Sequence, residues 1–498
     1  MTNLVVETRT GEVRGKLYPG ADAALPGVSI WKCIPYAEPP VGSLRFMPPR
    51  AARSWTGERD ATRFGAVAVQ SRDPRIAMLS GVGEKIVSSE DCLTLNVYSP
   101  AADGKQRPVV VWIHGGAFVM GSGSTPLYDG ASFASRHDLV VVTINYRLGI
   151  LGLLYLGDLI PGREQGNYAL LDQIAALRWV QDNIAAFGGD PHQVTVMGES
   201  AGAISIGTLI AMPAARGLFK RAILQSGASP LSPQTRDDAT KVARRVVSDL
   251  GVAADALSDV PVDRLLAVQE RVSHDLGLAA FAPYIDEVTL PRAPIESVRA
   301  GETVGVPMLL GSNRDEWTLF DVFMGAASVE GFKAPLRAHL GDKLDEIVAA
   351  YRGDRSEHRA WVDLVGDIVF RLPMIRLAET HADRGGSAFV YRFDWATPAF
   401  DGRLGAAHAL ELPFVWNRLD LPASQILLGA DAAAAQPLAT QMQATWAAFI
   451  RGGDPNGAGL PAWPRYDSER RATMIVDREP CIVDDPAGTV RALWAAHY

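Results

Sequence analysis

Short, almost continuously apolar runs recur along the 498-residue chain, and stretches with helical spacing separate them. Such runs are typical of parallel strands that helices cover on both faces. They predict strands over residues 109–113, 140–144, 194–197, 222–224, 308–310 and 388–391. Apolar residues at helical spacing predict a helix over residues 172–187, and Gly188 ends it. The pattern therefore predicts an α/β fold around a central, mostly parallel sheet with helices on both faces.

The organisation of the chain favours one domain. Alternating residues on either side of Thr10 and Gly11 predict a pair of strands near the start. The sequence contains no internal repeat and no linker rich in Pro, Ser and Gly. We therefore predict a single α/β domain over residues 1–498, with a helical insertion or subdomain at about 320–400.

Composition and charge exclude several classes of partner. The formal net charge of −8 argues against nucleic acid or an anionic membrane surface. No apolar run reaches the length of a membrane span, and no signal peptide is recognised. The three cysteines (Cys33, Cys92 and Cys481) give no disulfide framework and indicate a reducing cytoplasm. Because no Cys-x-x-Cys or His-Glu-x-x-His motif occurs, we predict no metal site.

Residues 198–202 (Gly-Glu-Ser-Ala-Gly) lie between a predicted strand and an apolar, helix-like run. A serine hydroxyl is a poor nucleophile unless it is held exposed and aimed at a base. A Gly-x-Ser-x-Gly turn does this, because its glycines leave room for a strained backbone between strand and helix. The motif predicts Ser200 as a nucleophile.

Residues 114–118 (His-Gly-Gly-Ala-Phe) follow the predicted strand at 109–113. Acyl transfer from an ester passes through a tetrahedral oxyanion, which backbone N–H groups stabilise. We predict Gly116 and Ala117 as two such donors and Ala201, at the helix start, as a third. The alternative is a glycine-rich turn that only closes a strand, and the serine motif disfavours it.

A serine nucleophile needs a base, and histidine suits this role near neutral pH. After a serine turn of this kind, the acid and then the histidine follow in the chain. The candidates are His274, His339, His358, His381, His408 and His497. The first four lie in charged, helix-like surroundings, and His497 is the penultimate residue. His408 has small neighbours and precedes an apolar segment, so we predict it as the base, with a buried core histidine as the alternative.

The acid must orient the imidazole and stabilise its charged form. Asp315 and Glu316 both follow the predicted strand at 308–310 closely. Their spacing does not choose between them, and a surface salt bridge with Arg314 is the alternative for either.

Together these motifs resemble the type-B carboxylesterase family, which includes bacterial para-nitrobenzyl esterases, animal carboxylesterases and cholinesterases. The resemblance runs nearly end to end and implies an α/β-hydrolase fold. Further matching segments are residues 34–37, 39–42, 45–46, 89–97, 145–147, 171–173, 225–227, 313–316, 453–456 and 463–464.

The resemblance also implies roles for particular residues. The family uses glutamate as the acid, which implies a triad of Ser200, Glu316 and His408. It implies Gly116, Ala117 and Ala201 as oxyanion donors, Glu199 beside the nucleophile, Ser226 near the acid, and structural ion pairs Arg45–Glu90 and Arg147–Asp172. Secreted relatives pair the cysteine matching Cys92 with one near position 68, where this chain has Ala68. Cys92 is therefore predicted to be free.

We therefore predict a serine carboxylesterase that hydrolyses small-molecule esters of short to medium acyl chain through an acyl-enzyme. It needs no metal or organic cofactor and is a monomer or homodimer in the cytoplasm. The alternatives are an amidase or carbamate hydrolase, or a lipase, on the same triad. A non-catalytic binding module is disfavoured because serine, acid and histidine are all present.

Overall fold

A computed structural model describes residues 4–18, 27–71, 87–230, 233–457 and 459–495. The chain forms two compact units. The first contains residues 1–223 and 233–297, and the second contains residues 224–232 and 298–498. The expectation of one domain over residues 1–498 with a helical insertion at about 320–400 stays a prediction.

The first unit is built on two sheets. Its strands are β1 (Val5–Thr8), β2 (Gly11–Arg14), β3 (Lys16–Tyr18), β4 (Val28–Pro35), β5 (Glu58–Asp60), β6 (Thr94–Ser99), β7 (Arg107–Ile113), β8 (Val140–Ile144) and β9 (Gly189–Glu199). The small sheet has the order β1-β2-β5, and the antiparallel pair β1–β2 confirms the predicted strands near the start. The larger sheet has the order β3-β4-β6-β8-β7-β9. Here β7 pairs in parallel with β8 and β9, while β3, β4 and β6 pair antiparallel.

Helices separate the strands of this unit. They are α1 (Ala131–His137), α2 (Gly149–Leu153), α3 (Tyr168–Asn183), α4 (Ala201–Leu209), α5 (Arg236–Leu250) and α6 (Val262–Leu276). Strand β10 (Arg221–Gln225) and helix α7 (Pro294–Arg299) each span a point in the sequence where one unit gives way to the other. The start of α5 shows a local cause: Thr235 and Asp238 form a reciprocal capping box.

Helix α3 begins four residues before the predicted start at residue 172 and continues as a 3₁₀ turn over Ile184–Phe187. Its first turn is buried, as is most of its length. A helix buried on nearly all sides has no single apolar stripe to mark its beginning. The predicted end is confirmed, because Gly188 closes the 3₁₀ turn with φ 84°.

Two ion pairs lie where the resemblance implied them. Arg45 binds Glu90, and Arg147 binds Asp172 with its Nη2 atom 2.7 Å from Oδ1. Both members of the second pair are buried, so each charge is compensated by the other. Cys92 is buried and free, as predicted. Among the described residues, no helix is both long enough and apolar enough to cross a membrane.

Within its described residues, the second unit has the further strands β11 (Met308–Asn313), β12 (Ala388–Phe393), β13 (Ala472–Val476) and β14 (Cys481–Asp484). They lie in the order β11-β12-β13-β14, with parallel pairs inside and an antiparallel strand at the end. All six predicted strands of the chain are present, and most extend beyond their predicted ends.

The helices of the second unit are α8 (Thr318–Met324), α9 (Ala327–Leu340), α10 (Lys343–Arg352), α11 (Glu357–Gly366), α12 (Leu372–Asp383), α13 (Leu412–Val415), α14 (Pro422–Leu428), α15 (Gln436–Gly452) and α16 (Gly488–Trp494). A π-helical segment, Asp367–Arg371, joins α11 to α12. Helices α8 to α11 pack around an aromatic core that includes Trp317, Trp361 and Phe370. This core supports the loop that follows β11.

A buried histidine in this unit makes stability depend on pH. His381 is fully buried and forms a 3.1 Å hydrogen bond between its Nδ1 atom and Thr303 Oγ1. Burial lowers the pKa of His381 to about 4. In the unfolded chain its pKa is about 6.5. Between these values the unfolded state binds a proton that the native state does not, so stability falls as pH falls.

We expect His381 to contribute a slope of about 1.4 kcal/mol per pH unit to the free energy of unfolding between pH 6.5 and 4.5. His381→Gln should reduce the slope by that amount, and His274→Gln, which changes an exposed histidine, should not. Urea denaturation across this pH range measures both. An unchanged slope in His381→Gln contradicts the expectation.

Candidate active site

Ser200 stands at the junction of strand β9 and helix α4. Its backbone has φ 54° and ψ −123°, a conformation that non-glycine residues rarely adopt. The helix starts immediately, because the Ile204 N–H donates to the Ser200 carbonyl at 2.9 Å. The predicted sequence of strand, sharp turn and helix is thus present, with the serine on the turn.

Two glycines make this turn possible. A Cβ atom on Gly202 would lie 2.0 Å from the carbonyl oxygen of Ile113, at the end of β7. A Cβ atom on Gly198 would lie 2.7 Å from the backbone of Gly202. Neither position accepts a side chain, so the glycines allow α4 to begin directly against the end of β7.

The loop after β7 has an unusual backbone. Gly116, Ala117 and Phe118 have φ values of 112°, 51° and 61°. The N–H groups of Val119 and Met120 both donate to the Gly116 carbonyl at 3.0 Å, which folds the loop back on itself. In the described part of the chain, the N–H groups of Gly116, Ala117 and Ala201 have no hydrogen-bond acceptor. Three backbone donors in the first unit are therefore left available for an anion.

His114 and Glu199 lie beneath this loop. The His114 ring stacks on Tyr146, with 4.4 Å between centroids, and burial lowers its pKa to about 4, so the ring is neutral at pH 7. A Cβ atom on Gly115 would lie 2.7 Å from Glu199 Oε2 and 3.1 Å from the Ser200 Cβ atom. The buried carboxyl group of Glu199 thus lies close to the Ser200 side chain.

In the second unit, His408 and Glu316 form a buried pair. His408 Nδ1 lies 2.6 Å from Glu316 Oε2, and both side chains are less than 10% exposed. The other oxygen, Glu316 Oε1, accepts the Asn313 N–H at 2.7 Å. A carboxylate in this position orients the imidazole through Nδ1 and leaves Nε2 for proton transfer.

Asp315, the other acid candidate, has a different role. Its Oδ2 atom accepts the Ala406 N–H at 2.9 Å, and its own N–H donates to the Ala406 carbonyl at 2.9 Å. It also pairs with Arg314 and Arg359. Burial alone would raise the pKa of Asp315, but these contacts outweigh it and hold the pKa below its ordinary value. Asp315 therefore fastens the loop that carries His408 and does not face the imidazole.

Aromatic rings cover His408. Phe370 stacks on the imidazole at 4.4 Å between centroids, and Phe320 lies at 5.4 Å. Trp317 packs against Phe320 in turn, at 4.5 Å. Phe370 belongs to the π-helical segment, a rare conformation that is frequent at functional sites. Sequence analysis missed Phe370, because a single phenylalanine in a helical pattern carries no signal of its own.

The remaining candidate residues lie elsewhere. His274 and His358 pair with Asp275 and Asp321 on the surface, and His381 is buried against Thr303. His339 lies near the end of helix α9. His497 lies outside the described residues. Ser226, just after β10, is fully buried with φ 49° and donates its N–H to the Gly311 carbonyl in β11 at 2.8 Å.

Comparison with known proteins places these features in context. A model of the carboxylesterase family matches residues 2–494. The para-nitrobenzyl esterase of Bacillus subtilis is 38% identical over 99% of this chain and 98% of its own length. The phenmedipham hydrolase of Pseudarthrobacter oxydans is 37% identical over 96% of each chain. The crystal structure of a carboxylesterase from Geobacillus stearothermophilus matches with a TM-score of 0.87 at 40% identity, covering 99% of this chain and 100% of that one.

The close approach at Gly202 predicts that the site does not tolerate a methyl group there. Because the clash is with backbone, Gly202→Ala should destabilise the protein by at least about 2 kcal/mol in urea denaturation. The matched control is Gly331→Ala in helix α9, where a Cβ atom would have no neighbour within 4 Å. Alanine there should raise the free energy of unfolding by about 0.5–1 kcal/mol. Equal urea midpoints for Gly202→Ala and the unaltered protein would refute the prediction.

Proposed function

Because this chain belongs to the carboxylesterase family, we propose that it hydrolyses esters with Ser200 as nucleophile, His408 as base and Glu316 as acid. The chain is a carboxylic ester hydrolase with an α/β-hydrolase fold, as its relatives and structural neighbours are carboxylesterases. The observation that carries the residue assignment is the 2.6 Å contact between His408 Nδ1 and Glu316 Oε2. The strained backbone of Ser200 supports it independently.

The proposed reaction has two steps. His408 removes the proton from Ser200 Oγ, which attacks the ester carbonyl, and the protonated imidazole then gives its proton to the leaving alcohol. Water, activated by the same histidine, hydrolyses the acyl-enzyme and releases the acid. Glu316 holds the imidazole in the required tautomer and stabilises its charged form.

The oxyanion formed in each step binds to the N–H groups of Gly116, Ala117 and Ala201. Their lack of an acceptor among the described residues supports this proposal. Removing one such donor costs roughly 3–4 kcal/mol of transition-state stabilisation in known cases. Glu199 adjusts the electrostatic field beside the nucleophile, and Ser226 supports the loop after β11 through Gly311.

The proposed substrates are small-molecule esters of short to medium acyl chain. The apolar rings of Phe320 and Phe370 beside His408 offer a wall against which such a substrate packs. We also propose a cytoplasmic monomer or homodimer, and the free thiols of Cys33, Cys92 and Cys481 support a reducing compartment.

Ser200→Ala should lower kcat/KM on p-nitrophenyl butyrate by about 10⁴-fold or more, since the nucleophile is removed. Ser135→Ala, which changes a serine bonded to its own helix, is the control and should keep full activity. Initial rates on p-nitrophenyl esters from acetate to palmitate measure both the loss and the preferred chain length. An active Ser200→Ala would refute the nucleophile, and a maximum at palmitate would favour a lipase.

Activity should rise with pH as His408 loses its proton. The rate constant kcat/KM should therefore increase about tenfold per pH unit while most of the imidazole is protonated and level off once it is neutral. His408→Gln should abolish the activity, whereas His358→Gln, on a histidine paired with Asp321, should leave it unchanged. A flat profile between pH 5 and 8 would exclude a histidine base.

A further inference from the structure

A second buried carboxylate lies three residues after His408. Glu411 is fully buried in the second unit, directly before helix α13, and its carbonyl accepts the N–H groups of Phe414 and Val415 at 3.0 Å. Its backbone is therefore fixed by the helix it precedes. The proposed reaction assigns no step to this residue, yet burying a carboxylate is costly unless it is bonded.

Two carboxamides satisfy the Glu411 carboxylate. Asn313 Nδ2 donates to Oε2 at 2.7 Å, and Gln225 Nε2 donates to Oε1 at 3.0 Å. Gln225 is itself held, because its Oε1 accepts the indole N–H of Trp446 in helix α15 at 3.1 Å. Glu411 is thus anchored to the core on one side and holds Asn313 on the other.

Asn313 connects this anchor to both members of the acid–histidine pair. Its Nδ2 atom also donates to the Ala407 carbonyl at 2.6 Å, next to His408. Its backbone N–H donates to Glu316 Oε1 at 2.7 Å. Both amide hydrogens are thus engaged, and Asn313 links the loop carrying His408 to the loop carrying Glu316.

We propose that Glu411 is a positioning residue for ester hydrolysis: through the Asn313 carboxamide it fixes the His408 loop relative to Glu316. The inference rests on the proposed roles of Glu316 and His408. An ionised carboxylate suits this task because it only accepts hydrogen bonds, and one amide donor binds each of its two oxygens.

The charge of Glu411 acts on the same pair. Burial raises the pKa of Glu411, and the nearby Glu316 raises it further, while the Asn313 and Gln225 amides and His408 oppose the rise. The titratable groups that act on Glu411 are thus Glu316 and His408. An anionic Glu411 favours the protonated form of His408, so removing its charge shifts the pH–rate profile to lower pH.

Glu411→Gln tests the inference with little change in shape. A glutamine offers one acceptor and one donor, so one of the two amides facing it loses its partner. We expect kcat on p-nitrophenyl butyrate to fall about 10–100-fold with KM changed less than about twofold, because misplacing a catalytic group slows chemistry more than binding. The midpoint of the kcat/KM profile should also move to lower pH, because the negative charge beside the imidazole is removed.

The matched control is Glu379→Gln, which replaces a partly buried carboxylate of the same unit that pairs with Arg471 at 2.7 Å. It should leave kcat and the pH profile unchanged. The inference is overturned if Glu411→Gln keeps the kcat and profile of the unaltered enzyme. It is also overturned if kcat falls only in proportion to the folded fraction while the profile stays in place.

Asn313→Ala provides a second route if Glu411→Gln does not fold. It removes the bridging amide and should give the same fall in kcat, and full activity would overturn the inference. Ser200→Ala and His408→Gln separate the two proposals. If those variants stay active, the proposed triad fails and the inference fails with it. If they are inactive while Glu411→Gln is fully active, only the role of Glu411 is wrong.

Discussion

The buried hydrogen bond between Glu316 and His408 is the interaction on which the second unit's loops depend. Neither group is stable in an apolar interior alone, so each needs a partner and a fixed position. Strand β11 pairs in parallel with β12 as far as Asn313, and the loop that carries Glu316 begins there. Asp315 and Asn313 then fasten that loop to the backbone just before His408. The residues flanking Glu316 thus help to fix the loop that carries it.

In the first unit, the backbone rather than side-chain contacts holds the candidate site residues in fixed positions. Positive φ values at Ser200 and Ala117 each cost energy, and N–H groups without an acceptor cost more. The glycines at 198, 202 and 116 allow backbone segments to pack in direct contact. This contact holds Ser200 and Ala117 in their strained conformations. Donors held in place before the reaction need no rearrangement when negative charge develops on the substrate.

Sequence reasoning recovered the parts of this arrangement that are contiguous in the chain. The turn around Ser200 and the loop around Gly116 could be recognised because closely spaced glycines follow an apolar run in each. The strands were predicted because each is a continuous apolar run. The start of α3 was placed too late, because a helix buried on nearly all sides has no polar face to mark where it begins. Spacing could not separate Asp315 from Glu316, because adjacent residues differ only in the direction their side chains take from the loop.

The residues that sequence reasoning missed act across long separations. Asn313 reaches Glu411 over 98 positions, and Phe370 reaches His408 from a π-helical segment. Neither has a local pattern, since an asparagine after a strand and a phenylalanine in a helix are common. Only the folded chain shows that one side chain serves two loops.

The two carboxylates near His408 also explain why such a costly arrangement suits catalysis. In the resting enzyme Glu316 and Glu411 repel each other, which contributes to the raised pKa of Glu411. In the proposed reaction His408 accepts the serine proton, and its positive charge then lies near two carboxylates that favour it. Attraction of both carboxylates to the imidazolium then offsets their mutual repulsion as the transition state forms. An interaction that strengthens only at that point lowers the barrier, whereas equal stabilisation of both states would not.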